Sequence, residues 1–457
     1  MSRIGRSDLV VTTIGVVGVL VLVGLGVAFG ADVAAVTIGL PLLVLCTIRF
    51  PIVGWLLWVI GTSCNGATVN ALGLVLQPEL IVFPLLCLSI YRERVRATQL
   101  YDDRRRFPLG SLTAALILWL IVNLCSSLLV APAPASSLRI LALMSVSVAT
   151  FFVLVQLPRG RVAAYVRAGA ILMAAVAALT VAAWIAAQVT GASNALVVKN
   201  YGESVFRTKW FMIEPNLLAS LLVLWLTVGV VFRRAFKGGT FALITSLLAA
   251  CAFLSFTRAA WVGLIVLALV LLFSGRRAPI KILLAGVVGV VVVGYFGSDI
   301  LTSGQGLGQT FSDRVTGIVD LNSGTGAYRT RAWLVALTDI QSLGHIFEGL
   351  GTNSFSQRHG ATDSTTGQAY LGNFWIVLLY DSGLVGLVAF AVAAAVVLRR
   401  TLRWITIPFF MSLFLAAFAT NPMWFGYPWA LTAILWLAVP RATEPLFATQ
   451  PEIARVG

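Results

Sequence analysis

The sequence predicts an all-α, polytopic integral membrane protein, a bundle of about 12–14 transmembrane helices with a large extracytoplasmic loop that carries an amphipathic helix. Three observations predict it. Of 457 residues, 59% are hydrophobic and only 11% are charged, against roughly 25% charged in an ordinary soluble domain. Mean hydropathy over the whole chain is +0.96. Apolar runs, many of them near the length that crosses a bilayer, recur from one end to the other. A cytosolic enzyme, a secreted disulfide scaffold and a disordered chain are excluded together, and the five scattered cysteines read as packing residues.

In chain order the runs fall at 9–29, 34–48, 51–62, 73–91, 110–131, 138–157, 169–190, 217–232, 239–256, 259–274, 279–298, 374–397, 405–420 and 423–440. The run at 51–62 is short for a span of about 20 residues and reads as re-entrant or extended at both ends. The first run, preceded by Arg3 and Arg6, is longer than the apolar core of a signal peptide and reads as an uncleaved helix. With Arg3 and Arg6 inside and the chain changing side at each run, 23 of the 32 cations and 6 of the 17 acids lie inside, +17 there against −2 elsewhere. Positive charge gathers on cytoplasmic loops. Both termini are therefore expected in the cytoplasm, and the net charge of +15 records topology and affinity for anionic lipid rather than nucleic-acid binding. The chain divides into N-terminal transmembrane helices (1–190), an outer loop (191–216), helices bearing Arg258 at an outer junction (217–298), a large outer loop (299–373), C-terminal helices (374–440) and a cytoplasmic tail (441–457).

The two outer loops are too long to be simple turns, and long loops are where function gathers. In the second, Gly304–Gly308 and Ser323–Gly326 lack the ending of a phosphate loop and read as flexible. Next comes an amphipathic helix from about Tyr328, with Trp333, Leu334, Leu337 and Ile340 on one face and Arg329 and Arg331 in its first turn. A cation there opposes the helix dipole, so an anionic partner is expected. Arg258, at the outer junction of two apolar runs, breaks the positive-inside rule. With Arg207, Arg329 and Arg331 it makes an outward arginine group suited to a diphosphate, whose oxygens a guanidinium holds in pairs. Carboxylates are few: Glu214 where the first outer loop enters a span, Glu79, and Asp381 inside a span. Glu214 is the candidate base. Only two histidines occur, His345 and His359, and no D-x-D lies on a loop, so neither metal nor cofactor is expected.

Three stretches resemble the O-antigen ligases and polymerases of bacterial envelopes. Leu254–Gly263 is similar to the family's Ser-Arg-Gly-x-Trp-x-Gly segment, with Thr257 and Ala259 for its usual Ser and Gly. Arg329–Phe355 is similar to its Arg-x3-Trp-x2-Ala-Leu helix, then His-Pro and Gly-x-Gly-x-x-x-Phe, with Ile346 for the proline. Gly372–Gly386 is similar to its His-Asn pair followed by Gly-x-x-Gly, and here Gly372 replaces the histidine. A weaker match covers Arg207 and Glu214–Ala219. The resemblance implies a membrane glycosyltransferase that moves glycan from an undecaprenyl-diphosphate-linked oligosaccharide to a polysaccharide or surface glycan acceptor, without metal, at the outer face of the bacterial plasma membrane. It implies substrate binding by Arg207, Arg258, Arg329, Arg331 and Asn373, with Glu214, Arg258 and Arg329 catalytic. Because the family histidine is thought to activate the acceptor hydroxyl, Gly372 favours a polymerase-like or different acceptor, with His359 or Glu214 as substitute base. A transporter or flippase of lipid-linked sugars is the alternative from another class, and a cell-wall glycan polymerase of the shape and division type is a third.

Overall fold

The structure is a computed structural model, which describes residues 40–67, 69–71, 74–100, 110–199, 206–273, 324–359 and 371–438. The runs at 9–29 and 279–298, the Gly304–Gly308 string and the tail at 441–457 lie outside the described residues.

The described chain is helical, with two short hairpins. The helices are α1 (Leu40–Arg49), α2 (Pro51–Ser63), α3 (Pro78–Leu100), α4 (Gly110–Leu129), α5 (Pro134–Leu154), α6 (Arg159–Thr190), α7 (Pro215–Val231), α8 (Gly238–Phe253), α9 (Arg258–Phe273), α10 (Gly324–Ser342), α11 (Ser354–His359), α12 (Phe374–Thr401), α13 (Ile407–Ala417) and α14 (Gly426–Ala438). β1 (Val69–Ala71) pairs antiparallel with β2 (Leu74–Leu76), and β3 (Val197–Val198) with β4 (Arg207–Thr208). Helices α4, α5, α6 and α12 are each long and apolar enough to cross a membrane. Shorter apolar helices, α2, α7, α8 and α9 among them, pack between and beside them. This is the all-α polytopic membrane bundle that the hydropathy predicts. Proline at or next to the first position opens α2, α5, α7 and α13, where its missing N–H costs nothing and its fixed φ suits the helix.

Helix α7 is the centre of the bundle. Leu217 to Val230 are all buried, whichever way they point, as expected of a helix that is apolar all round. Helices α6, α8, α9, α13 and α14 surround it. The residue that caps its N-terminus is therefore brought to one end of the core, and that residue is the half-buried Glu214.

Helix α12 is broken at Gly383, whose φ of 63° and ψ of −166° are not helical. The break orphans backbone groups on both sides, and inside a membrane protein these must find partners. The segment after α10 supplies them. Leu384 N and Val385 N donate to Ile346 O (2.8 Å) and Phe347 O (3.1 Å), while Leu350 N and Gly351 N donate to Tyr380 O (2.7 Å) and Asp381 O (3.0 Å). Asp381 is buried, and its carboxylate accepts from Asn353 N at 3.1 Å. Its placement is thus explained by this joint. The contact is so close that a Cβ on Gly349 would lie 2.5 Å from Gly383 N, and one on Gly383 would lie 2.2 Å from Phe347 O. Both have positive φ. Gly349→Ala or Gly383→Ala should therefore lower stability by more than the roughly 1–3 kcal/mol of the backbone conformation alone. Gly344→Ala, also at positive φ but facing open space, should cost only that. Thermal unfolding in detergent checks this order, and equal midpoints for the three would contradict it.

Two expectations for the large loop need correction. Helix α10 begins at Gly324, within the predicted flexible string, so Arg329 and Arg331 lie beyond its first turn and the dipole gives no reason for an anion there. Its buried face carries Ala332, Ala336 and Ile340, whereas Leu334 is 60% and Leu337 45% exposed. Alanine lets the helix approach α12 closely, which a pattern read from large residues does not register. The 51–62 run keeps its short length as α2, ends in a turn at Cys64, and is not extended toward α3.

Candidate active site

The turn between α8 and α9 is Leu254–Thr257, the start of the stretch read around Arg258. Phe256 adopts a φ of 52°, unusual for a large side chain, and several bonds hold it there. Ser255 Oγ donates to Ala252 O (2.6 Å) and accepts from Thr257 N (3.2 Å). Trp261 Nε1 donates to Phe253 O (3.0 Å), and its ring stacks on Phe253 at 5.3 Å. Gly263 lets α9 meet α7 and α13, since a Cβ would lie 2.4 Å from Ser412 Oγ and 3.1 Å from Val223. The serine, tryptophan and glycine of the stretch thus build the turn that presents Arg258, half-buried, at the N-terminus of α9.

Arg207 reaches the same turn from β4. It is 8% exposed, and its Nε donates to Ser255 O at 2.8 Å. The neighbouring Thr208 clips β4 to the end of α8, N to Leu254 O at 3.1 Å and Oγ1 to Cys251 O at 2.9 Å. Arg207 also donates through a terminal nitrogen to Asn216 Oδ1 (3.4 Å), which accepts from Thr257 Oγ1 as well (3.1 Å). Asn216 Nδ2 in turn donates to Glu214 Oε2 (3.4 Å). The other carboxylate oxygen, Oε1, accepts from Thr420 Oγ1. Arg207 and Glu214, seven residues apart, thus form one polar cluster at the head of α7 with the Arg258 turn and Thr420, which come from far along the chain.

Thr420 and Asn421, both buried in the link between α13 and α14, extend the cluster. Asn421 Nδ2 donates to Leu371 O at 3.0 Å, beside the Gly372–Asn373 pair. Asn373 itself caps α12, its Oδ1 accepting from Trp375 N (3.0 Å) and Ile376 N (3.4 Å). The position where the family carries histidine is therefore one short link away from Glu214. Sequence reasoning missed Asn216, Thr420 and Asn421 as site residues. For Asn216 the signal was its place in the weaker Glu214–Ala219 match, and for the other two it was a polar pair before Pro422 in a gap that reads as a short connector.

The other expected residues lie elsewhere. Arg329, half-buried, and the exposed Arg331 are on α10, which packs on α12; the hydrogen bonds around Glu214 do not reach them. His359 Nε2 lies 2.6 Å from Asp339 Oδ2, which also accepts from Tyr380 OH at 2.8 Å, so the pair ties α11 to α10 and α12. His345 is paired with Glu348 at 2.7 Å on the surface, a bond that holds the Glu348 carboxyl below its ordinary range. Glu79 is buried at the start of α3, accepting from Ser147 Oγ (3.2 Å) and Gly426 N (3.3 Å).

An apolar crevice of about 140 Å³ runs between α4, α12, α13 and α14. Both arms of the broken α12 line it, Phe374 and Trp375 from the first and Phe390 to Leu398 from the second, and the break at Gly383 brings the Phe374 and Phe390 rings to 5.2 Å. One end is lined by Phe374, Trp375, Ala417 and Met423, the immediate neighbours of Asn373 and of the Thr420–Asn421 link. The apolar space thus reaches the Thr420–Asn421 link of the polar cluster.

Fold and site define a polytopic membrane protein that sets a cationic and carboxylate cluster at the end of an apolar crevice. Residues 241–391 match the family model described as O-antigen ligase. All of the Arg258, Arg329–Phe355 and Gly372–Gly386 stretches lie in that segment, which is about a third of the chain and is similar to that family. Arg207 and Glu214 lie outside the matched segment; it is the fold that joins them to it. No curated protein matches the chain.

Proposed function

We propose that the protein transfers or polymerises glycan from an undecaprenyl-diphosphate-linked donor onto a polysaccharide or surface glycan acceptor, at the outer face of the bacterial plasma membrane and without a metal. The observation that carries this reading is the polar cluster at the end of the crevice, which suits an amphiphile with a long apolar chain and an anionic head. The head end of the isoprenoid chain enters the crevice between α4, α12, α13 and α14. Arg207 and Arg258 hold the diphosphate, and Arg329, with Arg331 behind it, approaches from the large loop when donor is bound. Asn373, which caps α12 next to Phe374 and Trp375 of the crevice, turns the remaining side of its amide to the substrate.

In the reaction the acceptor hydroxyl gives its proton to Glu214 and its oxygen bonds to the anomeric carbon. The bond from that carbon to the diphosphate oxygen breaks, and its electron pair leaves with the diphosphate. The arginines stabilise the charge that gathers there as the bond lengthens. Glu214 later returns its proton to water. Because the leaving group is already a good one and guanidinium supplies the positive charge, each step is provided for by side chains of this chain. Reconstitution in liposomes with lipid-linked glycan and acceptor on one side tests the reading against lipid-linked sugar transport. Glycan joined to acceptor with the donor lipid remaining on its own side is the expected result; translocation without bond formation would overturn it.

A further inference from the structure

We propose that Asn216 and Thr420 are positioning residues that fix the Glu214 carboxylate, one donor to each oxygen, and that Asn216 does so as a bridge from Arg207. The inference rests on Glu214 being the base of the reaction proposed above. Its own support is the geometry at the head of α7.

Glu214 stands at the N-cap position of α7 with extended backbone, φ −145° and ψ 156°, yet its side chain makes no capping bond to the helix. An ordinary N-cap side chain turns back onto the first N–H groups of its helix. Proline at the next position has no N–H to offer. The carboxylate instead takes side-chain donors, Thr420 from the α13–α14 link on Oε1 and Asn216 from the first turn of α7 on Oε2. Glutamate has three rotatable side-chain bonds, and a base must keep its oxygen within hydrogen-bond reach of one hydroxyl. Two donors from two different elements remove that freedom.

The amide of Asn216 has only one workable orientation. It lies between a guanidinium, which can only donate, and a carboxylate, which can only accept. Its oxygen must face Arg207 and its nitrogen must face Glu214, and Thr257 Oγ1 adds a second bond to the oxygen at 3.1 Å. Polarisation passes along such a chain, each bond strengthening the next. The position of the base is thereby tied to the arginine turn that receives the diphosphate. Thr420 belongs to the α13–α14 link whose next residue, Asn421, holds Leu371 O. The base is thus also tied to the turn that carries Gly372, and both ends of the reacting pair share one frame.

The experiment compares Thr420→Val, Thr420→Ser, Asn216→Asp and Glu214→Gln in the reconstituted transfer assay, with kcat and donor KM measured separately and the unfolding midpoint recorded for each. Valine keeps the shape of threonine and loses the donor; serine keeps the donor. Thr420→Val should lower kcat about tenfold or more with donor KM nearly unchanged, and Thr420→Ser should return kcat to within about threefold of the parent. Asn216→Asp, which sets an acceptor against Glu214, should lower kcat at least as much. Equal losses in the valine and serine variants, or a valine variant with parental kcat, would overturn the positioning role while a dead Glu214→Gln leaves the base in place. Parental kcat in Glu214→Gln would overturn the base itself, and with it this inference.

Discussion

Arg258→Ala is expected to lower glycan transfer by about 100- to 1000-fold, the range seen when one preorganised donor to a developing negative charge is removed. Arg258 opens α9 on a turn fastened by Ser255, Trp261 and the Arg207–Ser255 bond, so the backbone that carries its guanidinium is held before substrate arrives. The diphosphate gains charge as the glycosidic bond breaks, and a guanidinium fixed beside it stabilises the transition state more than the bound donor. The loss should therefore fall mainly on kcat. Arg258→Lys should recover only part of it, because an ammonium keeps the charge but not the planar pair of donors. Arg331→Ala, at an exposed position on α10, should cost far less than Arg258→Ala. Cells relying on the Arg258→Ala protein should accumulate lipid-linked glycan, and unchanged polymer in such cells would contradict the assignment.

Glu214→Gln should lower kcat by about 100- to 10,000-fold, the contribution of a positioned general base. The substitution keeps the size of the side chain and an oxygen for one of its two donors, Thr420 or Asn216, so the head of α7 should stay folded. Donor KM should change little, since the diphosphate is held by arginines. His359→Ala gives the contrast. His359 is bound to Asp339 and joins α11 to α10 and α12, so its loss should act mainly through stability. A kinetic loss in His359→Ala equal to that in Glu214→Gln, at parental stability, would move the base to the histidine.

Much of the fold was legible because hydropathy and proline placement are local signals. Runs read at 110–131, 138–157, 169–190 and 374–397 correspond to α4, α5, α6 and α12, within a few residues at most ends. The break in α12 was not legible. Apolar residues continue across Gly383, and nothing local tells that the segment around Gly349 supplies the missing hydrogen bonds from 30 to 38 residues away. Asp381 looked like a functional charge inside a span for the same reason; its partner, Asn353 N, is a backbone group that no side-chain pattern reveals. In the site, Arg258 stood out because it violates a charge rule, and Arg207 and Glu214 because they are charged residues next to apolar runs. Asn216, Thr420 and Asn421 are neutral, and a neutral hydrogen-bonding residue carries meaning only once its neighbours are known. The α10 helix was legible from its large apolar residues, whereas Ala332 and Ala336, which pack it against α12, were not, because alanine adds little to an apolar pattern.

The most direct test of the account is the stoichiometry of the reconstituted reaction, followed in the presence of a metal chelator. The protein should release one undecaprenyl diphosphate for each glycosidic bond formed to acceptor, at an unchanged rate, while Arg258→Ala and Glu214→Gln form almost no bond from the same donor. Donor lipid that crosses the bilayer intact with no diphosphate released, or bond formation that persists at the parental rate in both variants, would contradict it.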